Sequence, residues 1–222
     1  MSRANACSAV AALLVAIAAP AADRPGGSMW TFENDTVGEP PRGFTFAKTD
    51  GGRMGRWIVR AEADAPSGGK VLAQVDDDRT DGRFALAVAG EPSLRDLRLS
   101  VRCKPVAGAV DQACGVVFRY RDENNYYLAR ANALEDNVNF YHVVSGRRRQ
   151  VTGWKGRVTG SAWHELRVDA AGDHFEVYWD GKKVVDAHDQ TFAEAGKVGL
   201  WTKADSVTEF DDLTVAPLGA SP

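Results

Sequence analysis

The segment HFEVYWDGKKVVD, from His174 to Asp186, reads as two short strands and the turn between them. Phe175, Val177 and Trp179 alternate with His174, Glu176 and Tyr178. Successive side chains of a strand point to opposite faces, so this order gives one apolar face and one polar face. Asp180-Gly181 follows, a pair suited to the positive φ angles of a two-residue primed turn, and Lys182–Asp186 returns. Just upstream, Leu166 and Val168 oppose Glu165 and Arg167 with the same period. Such strands have a dry side and a wet side, as in two stacked antiparallel sheets.

The pattern continues in both directions. Short runs rich in Val, Phe, Tyr, Trp and Thr predict strands at Trp57–Ala63, Val71–Val75, Arg83–Val88, Leu94–Lys104, Ala113–Arg121, Tyr126–Asn132, Asn137–Ser145, Gln150–Trp154, His164–Asp169, His174–Trp179, Lys182–Asp186, Lys197–Trp201 and Thr208–Ala216. Asn124-Asn125 and Glu135-Asp136 read as turns, and Thr191–Ala195 hints at a helical turn. About thirteen strands at short spacing predict an all-β fold, an antiparallel β-sandwich. The expectation is one domain over residues 29–216, followed by a tail at 217–222.

Composition narrows the class. Of 222 residues, 44% are apolar and 26% charged, ordinary values for a chain with a real core. Lys plus Arg number 27 against 30 Asp plus Glu, a net charge of −3, so nucleic acid is not an expected partner. Residues 1–22 read as a signal peptide. Arg3 precedes the apolar run Ala9–Ala19, and Ala19-Pro20-Ala21 has the small-x-small form of a cleavage site. That run is too short to span a bilayer core of about 30 Å. The mature protein is therefore expected to be secreted or periplasmic, with no membrane span. Cleavage would leave two cysteines, Cys103 and Cys114. Both fall on apolar faces of neighbouring runs, which predicts a disulfide in an oxidising compartment.

One stretch is unusual for a wet face. Tyr120–Val144 reads YRDENNYYLARANALEDNVNFYHVV. With period two, Tyr126, Leu128, Arg130 and Asn132 point one way, and Asn137, Asn139 and Tyr141 form a second row after the turn. Arg119 and Arg121 face away from Phe118. Rows of Arg, Asn and Tyr suit polyols, which need hydrogen bonds to hydroxyls and a flat ring against C–H faces. The predicted carbohydrate-binding residues are Arg119, Arg130, Asn132, Asn139 and Tyr141. The tryptophans read as packing residues, Trp179, Trp201 and Trp163 most plainly, with flanking a groove as the alternative for Trp154 in GWKG.

The segments FRYRDENNYYLARANALEDNVNFYHVV, AWHELRV, FEVYWDGKKVVDAHDQTF and GKVGLWTKADSVTEFDDLTV together resemble exported bacterial domains of the concanavalin A-like lectin/glucanase superfamily. Within it the chain resembles the 3-keto-disaccharide hydrolase-like domains, over roughly residues 29–216. The resemblance implies a jelly-roll sandwich with any glycan site on its concave sheet. It also implies a structural calcium where the first and last strands meet, for which Asp35 and Asp212 are the candidate ligands; no other cofactor is expected.

Catalytic motifs are scarce. The E-x-D-x-x-E string of the superfamily's glucanases does not occur, nor do H-E-x-x-H or G-x-S-x-G. Arg79 stands where an EF-hand loop at VDDDRTDGRF would need an oxygen ligand. Release of a 3-keto sugar by elimination would need a base and an oxyanion donor. Glu135 or His142 is the candidate base, with Arg130 or Arg119 as donor. His142 follows Tyr141 and points to the opposite face, with Phe140. The reading is an exported carbohydrate-binding or glycoside-hydrolase-like domain. The alternatives are a 3-keto-glycoside hydrolase or lyase, and a non-catalytic structural or adhesion module of the envelope.

Overall fold

The alternation described above assembles into fifteen strands in two antiparallel sheets. The computed structural model describes residues 27–219. The expected leader at residues 1–22 lies outside the described residues. One sheet contains β1 (Ser28–Trp30), β3 (Trp57–Ala61), β4 (Lys70–Gln74), β6 (Leu97–Ala107), β11 (His164–Ala171), β12 (His174–Trp179), β13 (Lys182–His188) and β15 (Val207–Pro217). Its order is β13-β12-β11-β6-β15-β4-β3, with β1 paired to β15. The second sheet runs β10-β9-β8-β7-β14-β5-β2. These strands are β2 (Phe44–Thr49), β5 (Phe84–Ala89), β7 (Ala113–Asp122), β8 (Asn125–Asn132), β9 (Asn137–Val144), β10 (Arg147–Lys155) and β14 (Lys197–Lys203). No helix occurs among the described residues, and none is long and apolar enough to cross a membrane. The expected helical turn at Thr191–Ala195 is irregular chain instead.

All thirteen expected strands are present, together with β1 and β2. β1 has three residues, too few to show a period. β2 is the outermost strand of its sheet and buries only Thr49 fully, so its sequence shows no clean alternation. The Asp180-Gly181 turn has φ of 47° and 77°, as a primed turn requires.

The core lies between the sheets. Leu99, Val168 and Val177 share a row across β6, β11 and β12. They face Phe118, Tyr127 and Phe140 from the other sheet. Aromatic rings meet across the interface, with Tyr127 and Phe118 centred 4.8 and 5.8 Å from Phe175. The predicted disulfide is present, and it does more than join neighbouring strands. Cys103 belongs to β6 and Cys114 to β7, so the bridge pins one sheet to the other at a Cα separation of 6.3 Å.

Closing a loop of this size restricts the unfolded chain and stabilises the fold by about 2–3 kcal/mol. Replacing Cys103 and Cys114 together by alanine should lower the unfolding free energy in urea by at least that much. A double variant as stable as the parent would contradict the role given to the bridge.

Candidate functional site

The inner strands of the seven-stranded sheet bury both faces. One packs on the core. The other carries a second apolar cluster that includes Phe84, Leu86, Val117, Leu128, Tyr141 and Trp201, drawn from β5, β7, β8, β9 and β14. Polar side chains on this far face must therefore find partners. Register places Arg130 opposite Asn139, Leu128 opposite Tyr141 and Asn132 opposite Asn137. On β10, Gln150 lies beside Tyr141 and Gly153 beside Asn139. The close approach at Gly153 is obligatory, because a Cβ there would sit 1.8 Å from Asn139 Oδ1.

These residues form one hydrogen-bonded network. Arg130 donates to Asn137 Oδ1 at 2.6 Å, to Glu135 Oε2 at 2.7 Å and to the Tyr141 hydroxyl at 2.9 Å. Asn139 donates to the same hydroxyl at 3.0 Å. Tyr141 Oη thus accepts two bonds and keeps its own proton to donate. Burial acts to raise the Glu135 carboxyl, but the Arg130 charge and the Asn137 amide outweigh it and hold the group below the usual range. The network lines an open cavity of about 530 Å³, rimmed by Arg148, Gln150, Trp154 and Lys155.

Arg148 is the residue that the sequence reading missed. Its guanidinium lies over Tyr141 at 4.7 Å, Phe84 at 4.6 Å and Trp201 at 5.6 Å from the ring centres. Its Nη1 is buried without a hydrogen-bond partner. Desolvation lowers the Arg148 pKa, and like charge from Arg130 adds to the effect. The available signal was period two on β10, which puts Arg148 on the same side as Gln150. The expected strands Asn137–Ser145 and Gln150–Trp154 left Arg147–Arg149 outside the ladder, whereas β10 begins at Arg147.

Among the other predicted residues, Arg130, Asn139 and Tyr141 are brought together. Asn132 stands behind them. It is fully buried, donates to Asp111 Oδ1 at 2.9 Å, and its Oδ1 accepts from the amides of Leu134 and Glu135. Asp111 in turn pairs with Lys203 at 2.9 Å. Tyr141 is only 6% exposed, because Arg148 covers its ring; the flat open platform is replaced by a covered ring with a free hydroxyl.

Arg119 is a correction. A bulge between Phe118 and Asp122, with φ of 45° at Arg119, turns this side chain to the core side. There it donates to the carbonyls of Arg95, Phe192 and Gly172 at 2.9, 2.7 and 2.6 Å, over the ring of Phe175. His142 is also on the core-facing side, as its position after Tyr141 predicts. Its Nδ1 lies 3.2 Å from Asp189 Oδ2 and 3.0 Å from Thr191 Oγ1. Glu135 and His142 line different cavities.

The two residues expected to hold calcium each have protein partners. Asp35 directs its carboxylate to Arg42, and Asp212 directs its own to Ser67. Neither belongs to a group of three or more metal-ligating side chains among the described residues. Such a group does form at His174, Glu176 and Asp186 on β12 and β13, but Lys183 already pairs with both carboxylates, at 2.8 and 2.6 Å.

With this geometry in place, known proteins can be compared. No family model matches the chain. The levanase of Bacillus subtilis (strain 168) is 33% identical over 96 residues, which are 42% of this chain and 14% of that enzyme. The carbohydrate-binding module CBM66 from Bacillus subtilis superposes with a TM-score of 0.61 at 26% identity, over 78% of this chain and 95% of the module. Domain 4 of AbnA, a GH43 extracellular arabinanase from Geobacillus stearothermophilus solved with arabinotriose, gives 0.55 at 14% identity over 85% and 90% of the two chains. The fold is that of carbohydrate-binding β-sandwiches.

The placement of Arg119 makes a direct prediction. Arg119→Met would orphan one buried carbonyl, of Phe192, and two partly buried ones, of Arg95 and Gly172, and a buried unsatisfied group costs about 1–3 kcal/mol. Denaturant unfolding should show a loss of about 3 kcal/mol or more. A loss under about 1 kcal/mol would refute a structural role for this guanidinium.

Proposed function

We propose that this chain is an exported glycan-binding domain whose ligand lies against β9 and β10 on the far face of the seven-stranded sheet. The observation that carries the reading is the Arg130–Tyr141–Asn139 arrangement. Two donors fix the Tyr141 hydroxyl, so its proton is left for a ligand oxygen at the wall of an open cavity. A polar group oriented before the ligand arrives loses little freedom on binding, which is how a shallow site gains affinity. Trp154 also borders the cavity, but it pairs with Val138, packs on the inter-sheet core and carries Lys182 over its ring, so the recognition rests on the polar network rather than on ring stacking.

The similarity to CBM66 supports binding as the function, and the levanase match makes β-fructans the first glycans to try. Binding is preferred to turnover for two reasons. The candidate base beside Arg130, Glu135, is held ionised and weakly basic by it, and the candidate donor Arg119 is engaged by three backbone carbonyls rather than turned to the site. The leader-like first 22 residues and the inter-sheet disulfide support export.

Loss of one hydrogen bond to a bound sugar is worth about 0.5–1.5 kcal/mol, or roughly three- to tenfold in affinity. Tyr141→Phe and Asn139→Ala should each weaken binding by that factor in calorimetric titrations with levan oligosaccharides or with any glycan first found on an array. Binding undiminished in both variants, or no glycan bound at all, would overturn the proposal.

A further inference from the structure

The charge at the site is out of balance. The cavity wall carries Arg130, Arg148 and Lys155 against a single carboxylate, Glu135, in a chain whose net charge is −3. Nearby Asp111 is already neutralised by Lys203. Glu135 is likewise taken, by Arg130 and Asn137.

Arg148 differs from the other inward-turned guanidinium groups of the fold. Arg83 donates to the carbonyls of Arg53 and Ala204 and pairs with Asp76 at 3.0 Å. Arg119 holds three carbonyls, and Arg130 holds Glu135. Arg148 has no ion pair and no hydrogen-bond acceptor among the described residues, and its Nη1 is buried. Three ring faces steady the cation, each contributing about 0.5–2 kcal/mol, but rings do not accept the in-plane N–H bonds. Beside it, Nε of Arg130 is also buried and unpartnered, on a side chain only 3% exposed. A planar N–H fork without an acceptor, beside a second cation, matches the two coplanar oxygens of an acid group.

We infer that the ligand carries an anionic substituent, a carboxylate or a sulfate ester, that docks on the free edge of Arg148 beside Arg130. The inference rests on the glycan-binding reading and narrows it to acidic glycans. The sugar hydroxyls then meet Tyr141 and Asn139, and the charged group meets the guanidinium.

Two matched pairs of probes test it. Oligogalacturonate and its methyl ester differ in carboxylate charge and one small methyl group per residue; dextran sulfate and dextran differ only in sulfate. With the full mature chain in low salt, one acidic member should bind about ten- to a hundredfold more tightly than its neutral partner. The pair that shows this preference identifies the acid group. The preference should shrink as NaCl is raised to 0.5 M, and it should vanish in Arg148→Gln. Arg148→Lys, which keeps the charge and loses the fork, should retain part of it. The wild-type comparison needs no variant, so an unfolded Arg148→Gln does not block the test. Equal binding of charged and neutral members, or binding of levan oligosaccharides alone, would overturn the acidic-ligand inference and leave glycan binding standing. No binding of any probe, levan included, would overturn both.

Discussion

Side chains alternate across the inner strands of the seven-stranded sheet, and both faces that they alternate between are buried. That constraint shapes the rest of the molecule. On the core side it is met by Phe118, Tyr127 and Phe140 packing against Phe175 from the opposite sheet. On the far side it is met by a second cluster, with Tyr141 and Trp201 beneath the Arg148 guanidinium. A polar group on that far face is not simply rinsed by water. Arg130, Asn137 and Asn139 must satisfy one another, and the result is a network with fixed geometry and a few free valences at its edge.

Rigidity follows from the same constraint. The site stands on strands rather than on long loops, and its side chains are held by bonds and contacts that exist before any ligand arrives. The Cys103–Cys114 bridge ties β7, a neighbour of β8, to the opposing sheet. Gly153 lets β10 approach Asn139 closely, so backbone and side chain lock together at the cavity wall. A shallow surface gains affinity when little order must be imposed on binding. The second cavity, where Arg119 and Phe192 lie, is built differently: all three guanidinium nitrogens of Arg119 are engaged by backbone carbonyls.

Much of this was legible in the sequence because period two is a geometric necessity of extended chain. It located thirteen strands, put Arg130, Asn139 and Tyr141 on one face, and set His142 on the other. What it missed has identifiable causes. Arg119 left its expected face because a bulge breaks the period, and no local residue type announces that bulge. Arg148 was overlooked because the expected strand began at Gln150; β10 starts at Arg147, and its period and the ladder with β9 put Arg148 on the face of Gln150. Asn132 was assigned to the right face, but burial behind Glu135 and pairing with Asp111 depend on tertiary neighbours.

The most direct measurement is a glycan titration followed by backbone amide chemical shifts of the isotope-labelled mature chain. The largest saturable changes should fall on Arg130, Asn137–Tyr141 and Arg148–Lys155, together on the far face of the seven-stranded sheet. Changes centred on Arg95, Asp173 and Gln190, or on Glu176 and Lys183 of the eight-stranded sheet, would place the ligand elsewhere and contradict the account.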